Sequence, residues 1–207
     1  MPDYPGRMGR RSDHTREELH ELLLSLGHDL LAQTGLARFS GREVAKQAGY
    51  SVGTIYNVFG SLDHLIAAIN SRTFALWADQ LRARLDAGER DRIGALVAGY
   101  FAFAQENPHL WSAIYEHHLP ADFTLPDADT AQREALTRIV EGEVRAALPA
   151  DTPAAIPRLT RSLIAVVHGH CSLAVTGSFA LMGVDDPLDC ALARVREVLG
   201  AHGYAPR

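Results

Sequence analysis

The segment from Ser40 to Phe59 constrains the fold of this chain more than any other, because it predicts two short helices joined by a tight turn. Ser40 followed three residues later by Glu43 is a capping-box pattern, which marks the start of the first helix. Gly49 suits the left-handed residue that ends a helix, since it has no Cβ. Ser51 can cap the second helix. The segment therefore predicts a helix hairpin.

The second helix of this hairpin has two different faces. Ile55 and Phe59 lie four residues apart and can face a core. The other residues face outward, are small or able to form hydrogen bonds, and carry no charge: Val52, Gly53, Thr54, Tyr56 and Asn57. Such a face is typical of a helix that enters a DNA major groove. Spacing alone leaves open whether the hairpin binds DNA or is only structural.

The residues from about Thr15 to Ile69 resemble the DNA-binding domain of TetR-type (TetR/AcrR family) transcriptional regulators. The resemblance rests on a long amphipathic first helix and three motifs: Glu43-Val-Ala-Lys-Gln-Ala-Gly, Gly53-Thr-Ile-Tyr-Asn-Val-Phe and Ser61-Leu-Asp-His-Leu. It covers about a quarter of the chain. The resemblance strongly favours the DNA-binding interpretation and implies an N-terminal three-helix, helix-turn-helix domain.

The same resemblance implies roles for individual residues. Thr54 and Tyr56 would hold phosphates while the second helix approaches the bases, where Asn57 suits adenine. The full predicted DNA-binding set is Arg42, Lys46, Ser51, Val52, Gly53, Thr54, Tyr56 and Asn57. The family usually has lysine where this chain has Leu62, which puts that phosphate contact in doubt. Backbone N–H groups of the helix that Ser61 caps are the alternative contact.

Charge and periodicity predict how the chain is organised. The formal net charge is −5, and seven basic and seven acidic residues precede Gly60, so the excess acidity lies in the C-terminal part. We predict a flexible basic arm over 1–14, carrying Arg7, Arg10 and Arg11, and the helix-turn-helix domain over 15–60. A linking helix over 61–87 and an effector-binding and dimerisation domain over 88–207 follow. The predicted fold class is all-α.

Helical periodicity assigns side chains to faces. The first helix starts at Thr15, which with Glu18 forms a second capping box, and Gly35 ends it. Its inward stripe is Leu19, Leu22, Leu23, Leu26 and Leu30. We expect Leu76 on the apolar side of the linking helix, and Arg133 on the outer side of an amphipathic helix over about 128–148. His117 and His118 are assigned to a helix that begins at Pro108.

The second half resembles, more thinly, the TetR subgroup named for Trp, His and Gly (WHG). Asn107-Pro-His-Leu-Trp and His168-Gly169 carry the likeness, whereas the tryptophan expected near Ile164 is absent. The resemblance implies an all-helical domain whose last two long helices pair across a dimer two-fold. Gly169, Ala174 and Gly177 agree with this, because small residues let helices approach.

The predicted effector set is aromatic with a few polar groups: Tyr100, Phe103, Trp111, Tyr115, His118 and His168. Taken singly, each aromatic is better explained as ordinary core. As a set, and with the family resemblance, they predict a pocket for a small, largely apolar effector. A metal site would need His168 or Cys171 to meet His118, because adjacent histidines on a helix diverge.

Other classes of function find less support in the sequence. It has no HExxH, GxxxxGK[ST] or GxGxxG motif, so we expect neither an enzyme nor a bound cofactor or metal. The alternative is a metal- or small-molecule-binding protein, possibly enzymatic, that reuses the helical scaffold. Ser162–Val184 lacks charged residues, yet its histidines, hydroxyls and glycines favour a buried helix in an oligomer over a membrane span. Without a signal peptide or disulfide framework, we expect a cytoplasmic protein.

Together these observations predict a ligand-responsive, homodimeric repressor. Its partners would be double-stranded DNA with a palindromic operator and a small effector, and it would not bind a membrane. An activator is indistinguishable from a repressor at this level.

Overall fold

The computed structural model describes residues 14–150, 152 and 155–205. These residues are helical without strands, which confirms the predicted all-α class. The predicted arginines of the N-terminal arm, Arg7, Arg10 and Arg11, lie outside the described residues. A 3-10 turn at Leu36–Arg38 follows the first helix. In chain order the α-helices are α1 (Arg16–Thr34), α2 (Gly41–Gln47), α3 (Val52–Phe59), α4 (Leu62–Asp86), α5 (Arg92–Glu106), α6 (Pro108–Glu116), α7 (Asp127–Ala147), α8 (Ile156–Val175), α9 (Ser178–Leu181) and α10 (Pro187–Gly200).

Both ends of α1 are those that the sequence predicts. The Thr15 hydroxyl accepts from the Glu18 N–H at 3.2 Å, and the Glu18 carboxylate accepts from the Thr15 N–H at 2.7 Å. Gly35 ends the helix, and its N–H donates to the Leu31 carbonyl at 2.9 Å. The capping box and the terminal glycine are thus confirmed.

The N-terminal core is one cluster of buried apolar side chains from the first four helices and from α6. Its members are Leu23, Leu24, Leu30, Leu31, Val44, Ala45, Ile55, Leu65, Ala68, Ile69, Leu110 and Ala113. Leu24 and Leu31 fall outside the predicted stripe, whereas Leu19 and Leu26 are only partly buried. The predicted stripe leaves out buried residues because α1 contacts α2, α3, α4 and α6 and is therefore covered on several sides.

The C-terminal core is a second buried cluster, built from the later helices. Trp77, Leu81 and Leu85 from the second half of α4 meet Trp111 of α6 and residues of α5, α7, α8 and α10. Since Leu65 and Ile69 of α4 belong to the N-terminal core, this helix runs through both clusters. Helix α6 also contributes to both clusters, so a displacement of α4 or α6 in one core moves side chains in the other.

Two predicted orientations are wrong. Leu76 was assigned to the apolar side of α4 but is 38% exposed, because it points away from both cores. Arg133 was assigned to solvent but is half-buried, and it donates to the Ser71 hydroxyl and the Ala67 carbonyl, each at 3.1 Å. Close packing of α7 on α4 brings this arginine to backbone and hydroxyl acceptors that periodicity does not reveal.

The uncharged stretch Ser162–Val184 is not one helix. α8 ends at Val175, Gly177 has a left-handed φ of +73°, and the short α9 follows. In the described residues, no single helix is long and apolar enough to cross a membrane. Only α3 and α4 taken together meet that test of length and composition, and they are bent by 69°.

The helix that begins at Pro108 stops earlier than predicted. α6 ends at Glu116, and His117 has extended backbone, so both His117 and His118 belong to the following loop. The side chain of His117 is nonetheless almost buried, whereas His118 is exposed.

Candidate functional site

The hairpin formed by α2 and α3 has the predicted turn. Gly49 adopts a φ of +79°, and the next residue, Tyr50, donates its N–H to the Ala45 carbonyl at 2.8 Å. The Ser40 hydroxyl accepts from the Glu43 N–H at 3.4 Å, so half of the predicted capping box is present. The Glu43 carboxylate instead accepts from the Gln47 amide at 3.4 Å.

The outer face of α3 is the candidate recognition surface. Val52 is 39% and Tyr56 53% exposed, and Gly53 and Asn57 are also exposed. Ile55, on the opposite face, is buried in the N-terminal core. Thr54 is half-buried at the edge of this surface. Exposed large side chains on a short, uncharged helix are available to another molecule.

Ser51 precedes α3 but does not cap it through its side chain, contrary to the prediction. It is the N-cap residue by position, and its hydroxyl makes no capping hydrogen bond. Ser51 is nevertheless exposed, and its Oγ lies beside the first turn of α3, 3.5 Å from where a Cβ at Gly53 would be.

A depression of about 350 Å³ lies where α2, α3 and the start of α4 meet. Arg42, Val52 and Tyr56 line it, so the structure brings a cation of α2 beside two predicted recognition residues. Lys46 is 78% exposed on the same helix as Arg42, with its ammonium 3.6 Å from the Glu43 carboxylate. Exposed pairs of this kind are weak and leave the ammonium available.

Leu62 also lines this depression, at the position where the family usually has lysine. It is half-buried, and its Cδ1 approaches Gly41 so closely that a Cβ there would lie only 2.9 Å away. Leu62 thus packs the start of α4 against α2. At the same helix end, the Ser61 hydroxyl accepts from the His64 N–H at 3.1 Å, as its predicted cap requires.

Four of the predicted effector residues come together beside the C-terminal core, where Tyr115 stays 41% exposed. The ring centroids of Tyr115 and His168 are 4.0 Å apart, and those of Trp111 and His168 are 5.3 Å apart. Tyr100 forms the centre of a hydrogen-bonded chain: its hydroxyl lies 2.8 Å from the Tyr115 hydroxyl and 3.0 Å from His168 Nδ1.

These polar groups are neutral. Burial raises the pKa of Tyr100 and of Tyr115 above the usual range of a phenol, and the Tyr115 hydroxyl adds to the rise at Tyr100. Burial lowers the pKa of His168 and raises the pKa of the nearby Cys171 thiol to about 12. The site therefore offers hydrogen bonds without net charge.

Beside this chain lie two small adjoining cavities, together called the effector cavity here. One of about 90 Å³ is walled by α4, α5, α6, α7 and α8, and the other, of about 50 Å³, extends towards α10. Four residues border both: Leu96, Tyr100, Val140 and Ile164. The lining residues that the sequence prediction missed include Trp77, Leu96, Thr137 and Ile164. The inward stripe of α7, on which Thr137 interrupts aliphatic residues, was the available signal.

Two predicted effector residues lie elsewhere. Phe103 is buried and stacks on Trp77, with ring centroids 4.5 Å apart and planes 5° apart, as a core residue. His118 lies in the loop after α6, where its Nδ1 donates to the Glu116 carbonyl at 2.8 Å. His118 therefore meets neither His168 nor Cys171, and no group of three metal-ligand side chains forms in the described parts of the chain.

α6 joins the effector cavity to the N-terminal core. Leu110 and Ala113 are buried in that core, whereas Trp111 belongs to the C-terminal core. The Asn70 amide of α4 donates to the Ala113 carbonyl at 3.2 Å. One short helix is thus held on both sides.

The outer faces of α8 and α10 carry small residues. Ala165 on α8 and Cys190 and Ala193 on α10 are exposed, and a Cβ added at Gly169 would meet nothing within 4 Å. Leu173 is 39% exposed on the same helix as Gly169. Small and apolar exposed residues on adjacent helices suit close packing against another helix pair.

Comparison with known families identifies both halves of the chain. Residues 23–69 match the bacterial regulatory proteins of the tetR family, and residues 93–198 match the tetracyclin repressor-like C-terminal domain. The chain belongs to the TetR family. This is a family of transcriptional regulators, not enzymes, as predicted; the WHG subgroup stays a prediction.

A curated relative resembles this TetR-family chain over about half of the chain's length. An uncharacterized HTH-type transcriptional regulator of Haemophilus influenzae is 26% identical over 110 residues, which are 52% of this chain and 59% of the relative. The chain thus spans about three fifths of that relative's length.

Solved structures share the fold at lower identity. A protein of unknown function from Rhodococcus sp. RHA1 has a TM-score of 0.68 at 21% identity, covering 93% of this chain and 97% of its own. RolR, solved with resorcinol, has a TM-score of 0.68 at 16% identity, covering 92% and 90%. The multidrug binding protein EbrR, solved with imidazole, has a TM-score of 0.59 at 21% identity, covering 94% and 98%.

Proposed function

We propose that this TetR-family protein is a homodimeric repressor that binds a palindromic operator and releases it when a small effector binds. The observation that carries the proposal is the outer face of α3, where exposed, uncharged side chains stand beside Arg42 on a helix anchored by Ile55. A helix presented in this way fits the major groove.

The DNA contacts follow from exposure and chemistry. Tyr56 and Thr54 bind phosphates through their hydroxyls, and Arg42 and Lys46 add charge at the backbone. Asn57 reads an adenine edge, while Val52 and Gly53 allow close approach to the bases. Ser51, exposed at the start of the helix, adds a hydroxyl that makes no capping hydrogen bond. Because Leu62 cannot bind a phosphate, the N–H groups at the start of α4 take that role.

Dimerisation through α8 and α10 gives two copies of α3 that are related by a two-fold axis. The small outer residues of these helices let a partner's helices approach. Two recognition helices then read half-sites about one helical turn apart, roughly 34 Å. Binding by both together supplies affinity that a single short helix with few cations lacks.

Effector binding changes this spacing through α4 and α6. The effector cavity is walled by α4 and α6, whose other ends lie in the N-terminal core. RolR with resorcinol and EbrR with imidazole show that chains of this fold hold small molecules. An effector that binds more tightly to one arrangement of these walls than to the other shifts the population towards a spacing that no longer fits the operator.

The test is binding of the purified dimer to labelled DNA from upstream of its own coding region, measured by fluorescence anisotropy. Tyr56→Ala and Asn57→Ala should each weaken binding about tenfold, the equivalent of roughly 1.4 kcal/mol. Gln132→Ala, an exposed site on α7, serves as the control. If both α3 variants bind like the wild type, the proposed surface is not the interface.

A further inference from the structure

The walls of the effector cavity indicate which ligands it accepts, a question that deepens the proposed effector function and rests on it. No charged side chain lines either part of the cavity. Arg133 lies over the Phe74 ring at 5.6 Å but is not itself a lining residue. An ion moved from water into such surroundings without a partner is strongly disfavoured. The cavity therefore selects neutral molecules.

The size of the cavity suits a ligand of about one ring. Its two parts, of about 90 and 50 Å³, adjoin at residues that border both. An apolar protein cavity of about 150 Å³ is known to hold benzene. A molecule with a six-membered ring fills a comparable space, whereas a larger ligand would have to push helices apart.

Two hydroxyl groups on the wall can bind a polar substituent. The Thr137 hydroxyl has no hydrogen-bond partner within the described part of the chain, although Thr137 lines the cavity. The Tyr115 hydroxyl forms one hydrogen bond, to Tyr100, and a hydroxyl can form up to three. A ligand hydroxyl or carbonyl would supply the missing partner.

The chain of hydrogen bonds behind Tyr115 adapts to either kind of ligand group. If Tyr100 donates to His168 Nδ1, then Tyr115 donates to Tyr100 and its oxygen remains an acceptor for the ligand. If the protonated Nδ1 of the other neutral tautomer donates to Tyr100, the chain reverses and Tyr115 has a proton to donate. Tyr115 can thus serve as acceptor or donor.

We propose that the effector is a neutral molecule of about one ring that carries a hydroxyl or carbonyl group, bound by Thr137 and Tyr115. The chain contains two tryptophans, and both report on this site. Trp77 lines the cavity, and the Trp111 ring lies 5.4 Å from that of Tyr115.

The experiment titrates the tryptophan fluorescence of the full-length protein with cyclohexanol, cyclohexane and cyclohexanecarboxylate, which share one ring and do not absorb with tryptophan. Cyclohexanol should bind most tightly. Cyclohexane should bind about fivefold more weakly for want of a hydrogen bond, and the carboxylate at least about a hundredfold more weakly.

Isosteric variants locate the recognition. Thr137→Val and Tyr115→Phe should each weaken cyclohexanol binding about fivefold and leave cyclohexane within about twofold. Tyr204 lies in a separate crevice beside Arg90. The control variant Tyr204→Phe should therefore bind all three probes like the wild type. Variants that weaken cyclohexanol and cyclohexane equally would show that the hydroxyls do not recognise the ligand.

Two other results overturn the inference: carboxylate binding as tight as that of the alcohol, or no fluorescence response to any probe. DNA binding is measured separately, without probes, on the same preparations. Operator binding without probe binding would reject this ligand class while the DNA-binding function stands. If the wild-type protein fails to bind the upstream DNA, the proposed function itself is rejected.

Discussion

The imidazole Nε2 of His117 donates to the Asp63 carboxylate at 3.1 Å, which ties the loop after α6 to the first turn of α4. A second contact lies beside it, because the rings of His64 and Phe123 are 4.4 Å apart. The first turn of α4 packs against the recognition hairpin through Leu62. The end of α6 is thus two contacts away from α3.

We predict that His117→Ala lowers the free energy of unfolding by about 1–2 kcal/mol, through the lost hydrogen bond and the space left by a buried ring. Urea unfolding measures this change. Amide hydrogen exchange should also become faster in the first turn of α4. His118→Ala is the matched control, since that neighbouring histidine is exposed and forms a hydrogen bond only two residues away, to the Glu116 carbonyl. Equal effects of the two substitutions would refute the role of the His117–Asp63 contact.

Gly27 should not tolerate a methyl group. A Cβ there would lie 2.8 Å from Cδ1 of Ile69, which is fully buried and cannot easily move aside. Gly27→Ala should destabilise the protein by about 1–3 kcal/mol and weaken DNA binding, since it separates α1 from α4.

Gly142 is the matched control for that substitution. It lies within α7, and a Cβ there would meet nothing within 4 Å. Gly142→Ala should raise the unfolding free energy by up to about 1 kcal/mol through helix propensity alone. Thermal and urea unfolding of both variants would decide the matter, and a stable Gly27→Ala would contradict the close approach of α1 and α4.

Arg133 should stabilise the contact between α7 and α4. Arg133→Met keeps the aliphatic part of the side chain but removes the donors to Ser71 and Ala67, so we expect a loss of about 1–2 kcal/mol. Arg138→Met, on the same helix, removes an exposed pair with Glu134 and an exposed hydrogen bond to the Ala131 carbonyl, and should change stability little. Similar urea midpoints for the two variants would show that the buried hydrogen bonds of Arg133 contribute nothing.

Stability should fall as the solution is acidified below about pH 6.5. Burial lowers the pKa of His28 and of His168 in the folded protein, so at mildly acidic pH the unfolded chain binds protons that the folded chain does not. Nε2 of His28 is buried and has no partner among the described residues. Urea unfolding between about pH 7.5 and 5.5 should therefore show a shallower pH dependence in His28→Gln and in His168→Gln. An unchanged pH dependence in both variants would contradict the burial effect.

Much of the fold could be predicted because its signals are local in the chain. The capping box of Thr15 and Glu18 and the left-handed Gly49 depend on residues a few positions apart, and both are confirmed. The uncharged outer face of α3 likewise follows from spacing along one helix. The DNA-binding roles of its residues stay predictions, as does the predicted dimer.

The effector cavity could be predicted only in part. The aromatic sequence pattern led to Tyr100, Trp111, Tyr115 and His168, which do meet, but also to Phe103 and His118, which lie elsewhere. Composition cannot separate these cases, because an aromatic residue serves equally well in a core or at a cavity wall.

What the sequence determined by itself was most of the helices, the turn at Gly49 and the family, since helix ends and turns are governed by the bonding and φ preferences of neighbouring residues. Only the tertiary structure decided that Arg133 turns inward, that Thr137 faces a cavity and that His117 reaches Asp63. Each of these contacts joins residues far apart in the chain. They depend on which helix faces meet, and hydrophobic periodicity gives the apolar face of a helix but not the partner that covers it.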